Sequence, residues 1–184
     1  MVGFIAAWAI RTPYQKQNKQ NQRLVVRLVL QEQILFVAIY VGMVILPFIY
    51  IFSPWLSFAD YRPPFWVGYL GAILFIISLW LLWRSHHDLG KNWSPTLEIR
   101  EGRTLISSGI YQKIRHPMYT AFWLWSAAQA LLLPNWVAGL GGISAFGITY
   151  ILRISQEEQM MVEQFGEEYK AYMQRTKRLV PYLF

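Results

Sequence analysis

From Gly109 the chain reads Gly-Ile-Tyr-Gln-Lys-Ile-Arg-His-Pro-Met-Tyr, a polar, aromatic and basic stretch set against the apolar run Ala121-Phe122-Trp123-Leu124-Trp125. Tyr111, Arg115, His116 and Tyr119 can bind and orient a polar reactant, and a chain that places such groups at the mouth of a bilayer can do chemistry there. A simpler reading makes Arg115 and His116 a basic flank and Pro117 a helix start, because proline is pre-set for the first helical position and cations favour the cytoplasmic membrane face. The simpler reading loses ground to a second pair further along the chain. Arg153 and Glu157 are spaced i, i+4, share a helix face and could pair with each other for about 0.2–0.5 kcal/mol. Alternatively, the guanidinium holds a substrate carboxylate and Glu157 holds a cationic or hydroxyl-bearing cofactor.

What must bring these residues together is a helical hairpin. The apolar runs Ala121 to Leu133 and Trp136 to Leu152 are separated only by Pro134-Asn135, so they fold back antiparallel and return Arg153 and Glu157 to the side of His116 and Tyr119. Ala138, Gly139, Gly142 and Gly147 let the second of these helices approach its neighbours closely. Gly139-Leu140-Gly141-Gly142 is no phosphate loop, since it lies inside an apolar run and follows no strand.

The remaining elements are also those of a membrane protein. The chain has 184 residues, 55% of them hydrophobic and 17% aromatic, far above the average of a soluble fold. Without cysteine, disulfides, thiolate nucleophiles and cysteine metal sites are excluded. The net charge of +7 is spread between apolar runs, which points to membrane orientation and anionic lipid rather than to nucleic acid.

Val2 to Ile10 is apolar for about half of the roughly 20 residues that a spanning helix needs, and it has neither the basic n-region nor the cleavage site of a signal peptide. Ile34 to Phe52, with Gly42 and Pro47 inside it, and Phe65 to Trp83 have the length of full spans. Leu24 to Leu30 is apolar enough to lie along the interface or to begin the next helix early. In the connector Arg84 to Met118, His86-His87-Asp88 invites a metal reading, but adjacent histidines on a helix point about 100° apart and do not readily face one ion. Leu89 to Pro95 reads as a turn and Glu98 to Arg103 as an extended or hairpin-like piece. From Gln156 onward, Met160, Met161, Phe165, Tyr169 and Tyr172 recur at helical intervals among Glu158, Glu163, Glu167 and Glu168, an amphipathic tail that would cover the mouth of the site.

The fold expected is therefore all-α and multi-pass, a single domain over 1–184 with about five membrane helices, the first of them short. Basic residues fall in Arg11 to Gln33, in Arg84 to Met118 and from Arg153 onward, with only Arg62 elsewhere. These three segments should be cytoplasmic and the turns near Asp60 and Asn135 should lie on the other side.

Taken in order, Leu89-Gly90-Lys91-Asn92-Trp93, Thr104-Leu105-Ile106-Ser107-Ser108-Gly109-Ile110-Tyr111, Arg115-His116-Pro117-Met118-Tyr119, Arg153 with Glu157-Glu158, Phe165-Gly166-Glu167-Glu168-Tyr169 and Arg178-Leu179-Val180-Pro181 resemble the isoprenylcysteine carboxyl methyltransferase family over about residues 65 to 184. The resemblance implies an integral membrane enzyme that uses S-adenosylmethionine, with the cofactor enclosed on the cytoplasmic side by the 84–118 connector and the C-terminal helix. It also implies a lipid substrate entering between helices. By the same resemblance, the cofactor contacts fall on Arg103, Thr104, Leu105, Ile106, Tyr111, His116, Pro117, Met118, Tyr119 and Glu157, and the substrate-carboxylate contact on Arg153. No metal is implied. The family commonly has histidine at the position of Arg103, which leaves contacts from the backbone of Thr104 to Ile106 as the part that could survive. A carboxylate acceptor is already ionised at neutral pH, so attack on a sulfonium methyl needs alignment and exclusion of water and no general base. Other readings of the same residues are a phospholipid-amine or small-thiol methyltransferase, a nicotinamide-dependent lipid reductase, or a membrane scaffold without activity.

Overall fold

Apolar runs of this length become helices, because only a helix satisfies every backbone polar group within one segment. In the computed structural model, residues 6, 9–13, 23–26, 29–92, 98–100 and 104–181 are described. Helix α1 (Val29–Tyr40) passes through a π turn (Val41–Ile45) into α2 (Leu46–Phe52). The π turn has a local cause: Pro47 has no N–H, and just before it the Leu46 N–H reaches back to the carbonyl of Val41. Then follow α3 (Trp66–Leu89), α4 (Pro117–Leu132), α5 (Trp136–Phe165) and α6 (Glu167–Arg175).

Among the described residues, Leu30–Phe52, Trp66–Leu89 and Trp136–Phe165 are long and apolar enough to cross a membrane. Helix α4 has 16 residues, about 24 Å, and is shorter than a typical hydrocarbon core. The short segment expected at Val2 to Ile10 lies mostly outside the described residues, of which 9–13 are helical.

Two helices run further than their apolar runs. Helix α3 continues past Arg84 to Leu89, supported by the i, i+4 ion pair of Arg84 Nε with Asp88 Oδ2 at 3.0 Å. Helix α5 continues past Arg153 to Phe165, and the chain then turns at Gly166 into α6. His86 Nδ1 is 2.8 Å from the carbonyl of Leu82, whereas His87 Nδ1 is 3.2 Å from Asp88, so the adjacent imidazoles serve different partners. The extended character expected of Glu98 onward is realised in β2 (Glu98–Arg100), antiparallel to β1 (Arg23–Val26), with Arg23 opposite Arg100 and Val26 opposite Glu98. Of the segment Leu24 to Leu30, residues 24–26 thus form a strand and not a helix start, while Val29 and Leu30 begin α1 ahead of the apolar run from Ile34.

The chain divides into two compact units. One comprises Leu30–Ser78 and Ala121–Arg153. Within it the turns around Asp60 and Asn135 are joined: Asn135 Nδ2 donates to the carbonyl of Leu56 at 2.6 Å and to Asp60 Oδ1 at 2.8 Å. The Asn135 Oδ1 accepts from the N–H groups of Val137 and Ala138 and so caps the start of α5. Gln129 Nε2, buried in the same unit, donates to the carbonyls of Gly42 and Ala138 at 2.9 and 2.7 Å. Gly42 packs so closely on the backbone of Gly141 that any side chain there would collide with the Gly141 carbonyl. Leu30, Ile34, Val37, Ile73, Ile76, Ile148 and Ile151 are exposed, the outward apolar surface that a bilayer covers. The other unit comprises the described residues of Met1–Val29, Leu79–Thr120 and Ile154–Phe184, and it holds the polar stretch.

Candidate functional site

The polar stretch is anchored at its first residue. Asp88, at the end of α3, accepts the N–H of Ile110 at 2.8 Å, and Gly109 stands against its carboxylate with φ of 61°. A side chain at 109 would meet both the left-handed backbone and the Asp88 carboxylate, so glycine is required there. This contact starts the 3-10 turn Gly109–Gln112, which buries Tyr111. The Tyr111 hydroxyl is 3.4 Å from the carbonyl of Ser85, and its own carbonyl accepts the hydroxyl of Tyr172 on α6 at 2.6 Å. Burial, reinforced by the neighbouring Tyr172, Glu157 and Asp88, holds the Tyr111 phenol well above its ordinary pKa. Burial likewise pushes Tyr172 up to about 12. Both remain neutral hydrogen-bond donors at physiological pH.

The end of the chain is paired alongside the same stretch. Arg115 N–H donates to the carbonyl of Lys177 at 2.8 Å and His116 N–H to that of Arg178 at 3.0 Å, around a parallel bridge of Ile114 with Lys177. Thr120 Oγ1 donates to the carbonyl of Leu179 at 2.7 Å. Pro117 follows as the first residue of α4, fully buried, where its missing N–H costs nothing.

Two adjacent carboxylates on α5 face this stretch and differ sharply. Glu158 is buried and is met by Arg115 through Nε and Nη2, both at 3.0 Å, by Arg178 at 3.0 and 2.6 Å, and by His116 Nε2 at 3.3 Å. Arg115 also donates through Nη1 to the carbonyls of Met173 and Thr176. Glu157, with 29% of its side chain exposed, accepts the Tyr119 hydroxyl at 2.7 Å, and its Oε1 lies 3.9 Å from His116 Nδ1. The imidazole of His116 thus stands between the two carboxylates, with the Tyr119 ring against it at 5.5 Å between centroids. Glu158 is engaged by Arg115 and Arg178, which leaves Glu157 as the more accessible of the two carboxylates.

Tyr111, His116, Pro117, Met118, Tyr119 and Glu157 therefore belong to one unit, with Tyr119 and Glu157 in direct contact. Thr104, Leu105 and Ile106 lead into it as chain outside helix or strand, with the Thr104 N–H held by Asn92 Oδ1 at 3.1 Å. Arg103 lies outside the described residues. Arg153 belongs to the other unit, where its Nε is 3.1 Å from Glu32 Oε1. Sequence reasoning gave no chemical role to Glu158, Arg178, Asp88 or Glu32. The signal for Glu158 was the doublet Glu157-Glu158 opposite Arg115 and His116, and for Glu32 it was the need of an arginine beside an apolar run for a counter-charge.

Residues 71–163 match the isoprenylcysteine carboxyl methyltransferase (ICMT) family. Protein-S-isoprenylcysteine O-methyltransferase B of Arabidopsis thaliana is 27% identical over 128 residues, covering 68% of this chain and 65% of that protein. The Homo sapiens protein-S-isoprenylcysteine O-methyltransferase is 25% identical over 140 residues, 71% of this chain and 49% of that one. The chain thus spans between about half and two thirds of the length of these relatives. A solved structure of the eukaryotic intramembrane Ras methyltransferase ICMT superposes with a TM-score of 0.60 at 25% identity, covering 96% of this chain and 60% of the other.

Proposed function

Because the chain belongs to the isoprenylcysteine carboxyl methyltransferase family, matched over residues 71–163, we propose that it is a membrane methyltransferase acting on the carboxylate of a prenylcysteine-type, lipophilic acceptor. Residues 1–184 form one catalytic domain in this reading, with five spans, of which the first is short, and with the cofactor pocket built from the 84–118 connector and the C-terminal helix on the cytoplasmic side. The acceptor reaches the protein from the surrounding lipid. The methyl donor is S-adenosylmethionine, which when bound supplies an electrophilic methyl group on a sulfonium.

The side chains present fit such a ligand. Its amino-acid end is cationic at the ammonium, and Glu157 is an accessible carboxylate already oriented by the Tyr119 hydroxyl. The competing cations Arg115 and Arg178 are committed to Glu158. Tyr111 and His116 supply shape and hydrogen bonds, and Thr104, Leu105 and Ile106 offer backbone groups outside regular structure. Met118 and Pro117, in the first turn of α4, add apolar wall. Arg103 stands among the cofactor positions of this reading. Arg153 holds the acceptor carboxylate by a planar two-point contact, and its task is alignment, since no proton has to leave an ionised carboxylate.

The observation that carries this reading is the pairing of Tyr119 with an accessible Glu157 beside a buried Glu158 that engages Arg115 and Arg178. Its test is transfer of a labelled methyl group from S-adenosylmethionine to farnesylcysteine, phosphatidylethanolamine or methanethiol by the purified protein. Transfer to farnesylcysteine above the other two is expected. Transfer to phosphatidylethanolamine or methanethiol alone would replace the acceptor, and no transfer to any of them would overturn the reading.

A further inference from the structure

A buried carboxylate stands against Arg153 from a helix to which the reading above gives no chemical role. Glu32, in the first turn of α1, places Oε1 3.1 Å from Arg153 Nε, and the two side chains keep only 6% and 12% of their surface exposed. One turn along α1, the ring of Phe36 lies 5.7 Å from the guanidinium carbon. Arg153 is therefore met by a carboxylate and an aromatic ring of the same helix. Leu30, Ile34 and Val37 on α1 and Ile151 and Leu152 on α5 are exposed apolar side chains, so the contact sits among lipid-facing surface. In such surroundings an arginine stretches toward the interface unless it is held, and burying it without a counter-charge is costly.

We infer that Glu32 is the positioning residue for the acceptor contact: it balances the charge of Arg153 and holds the guanidinium where it meets the acceptor carboxylate. This rests on the reading of Arg153 as that contact. A guanidinium is a planar fork suited to a two-point contact with a carboxylate, and a second carboxylate 3.1 Å from its Nε supplies a counter-charge that restrains where the fork sits. The Phe36 ring, 5.7 Å from the guanidinium carbon, adds a second restraint on its position. Glu32 touches no reacting atom in this account and acts only through Arg153.

The experiment uses full-length protein with labelled S-adenosylmethionine and farnesylcysteine, as wild type, Glu32→Gln, Glu32→Asp, Arg153→Lys and the Glu32→Gln/Arg153→Lys double variant. Cofactor affinity and Tm are measured on each. In Glu32→Gln, acceptor kcat/KM falls about tenfold, the scale of losing one buried charge contact, while cofactor affinity stays within about twofold. Glu32→Asp keeps the charge and recovers part of the loss; it also serves as the test if Glu32→Gln does not fold. In the Arg153→Lys background, Glu32→Gln adds little. A drop in Tm with acceptor kinetics unchanged, or losses that add fully in the double variant, would overturn the role of Glu32. If Arg153→Lys alone leaves transfer unchanged, the reading of Arg153 fails first. If Arg153→Lys lowers transfer and the Glu32 variants do not, only the inference about Glu32 fails.

Discussion

In the unit formed by Leu30–Ser78 and Ala121–Arg153, turns and helices are cross-linked chiefly by uncharged amides, Asn135 on Leu56 and Asp60 and Gln129 on Gly42 and Ala138. In the other unit a single carboxylate, Glu158, gathers Arg115, Arg178 and His116. The difference follows the cost of burial. An amide with partners at both ends is a modest demand on an apolar interior, whereas an ion is tolerated only with its charge balanced and its lone pairs filled. Charges are concentrated where the connector and the tail must be held together around polar chemistry, and amides serve where the surface is apolar. Among the described residues of the apolar unit, Arg153 and Glu32 form a buried ion pair, the contact on which the proposal for Glu32 rests.

The comparison breaks most visibly at Glu158. Glu158→Ala leaves the buried guanidinium of Arg115 without its counter-charge, and stability should fall by about 3–5 kcal/mol, read as a large drop in Tm with loosening of residues 176–181 in proteolysis. A loss no greater than that of Glu157→Ala would mean that the two carboxylates share one role. Asn135→Ala removes a helix cap and two hydrogen bonds, a loss of about 2–3 kcal/mol in thermal unfolding, with cofactor affinity unchanged in the folded protein. Weakened cofactor binding in that variant would show that the amide cross-links are not a purely structural device.

The smallest effect sharpens the tyrosine part of the polar unit. Tyr172→Phe loses the hydrogen bond to the Tyr111 carbonyl, about 1 kcal/mol at neutral pH. The folded-state pKa of Tyr172 is raised to about 12 by burial. The unfolded chain therefore gives up its proton near pH 10 while the folded chain still holds it, and stability declines as pH rises from about 10 toward 12. Tyr172→Phe removes that contribution, so its alkaline decline should be shallower than that of the wild type. An identical slope would place the alkaline sensitivity on other groups.

How much of this was legible beforehand follows from the kind of signal each part leaves. Ile34 to Phe52 and Phe65 to Trp83 announce spans because apolar length is read directly from composition. Their ends are hidden, since Arg84 and Asp88 look like a loop until their i, i+4 pairing extends the helix to Leu89. The meeting of Tyr119 with Glu157 follows from a two-residue turn at Pro134-Asn135, a strong geometric constraint. The Glu158 cluster depends on Arg178, whose approach is set by the turn at Gly166 and by the backbone bridge at Ile114 and Lys177, neither of which has a periodic signature. Glu32 was obscured by its polar neighbours Gln31 and Gln33, which made it look like part of a solvated connector. The strand pairing of Arg23–Val26 with Glu98–Arg100 was half visible: the second strand read as extended, but the first carries an apolar run that suits a strand and a helix start equally well.

The central claim is that Glu157, and not its neighbour Glu158, is the acidic group that meets the methyl donor. Calorimetric titration of S-adenosylmethionine into wild type and Glu157→Gln tests it, with Tm recorded without ligand. The account predicts one-to-one binding by the wild type and about tenfold or greater weakening in Glu157→Gln at nearly unchanged Tm, the loss of one charge-assisted contact. Absence of binding by the wild type, or equal affinity in the two proteins, would contradict it.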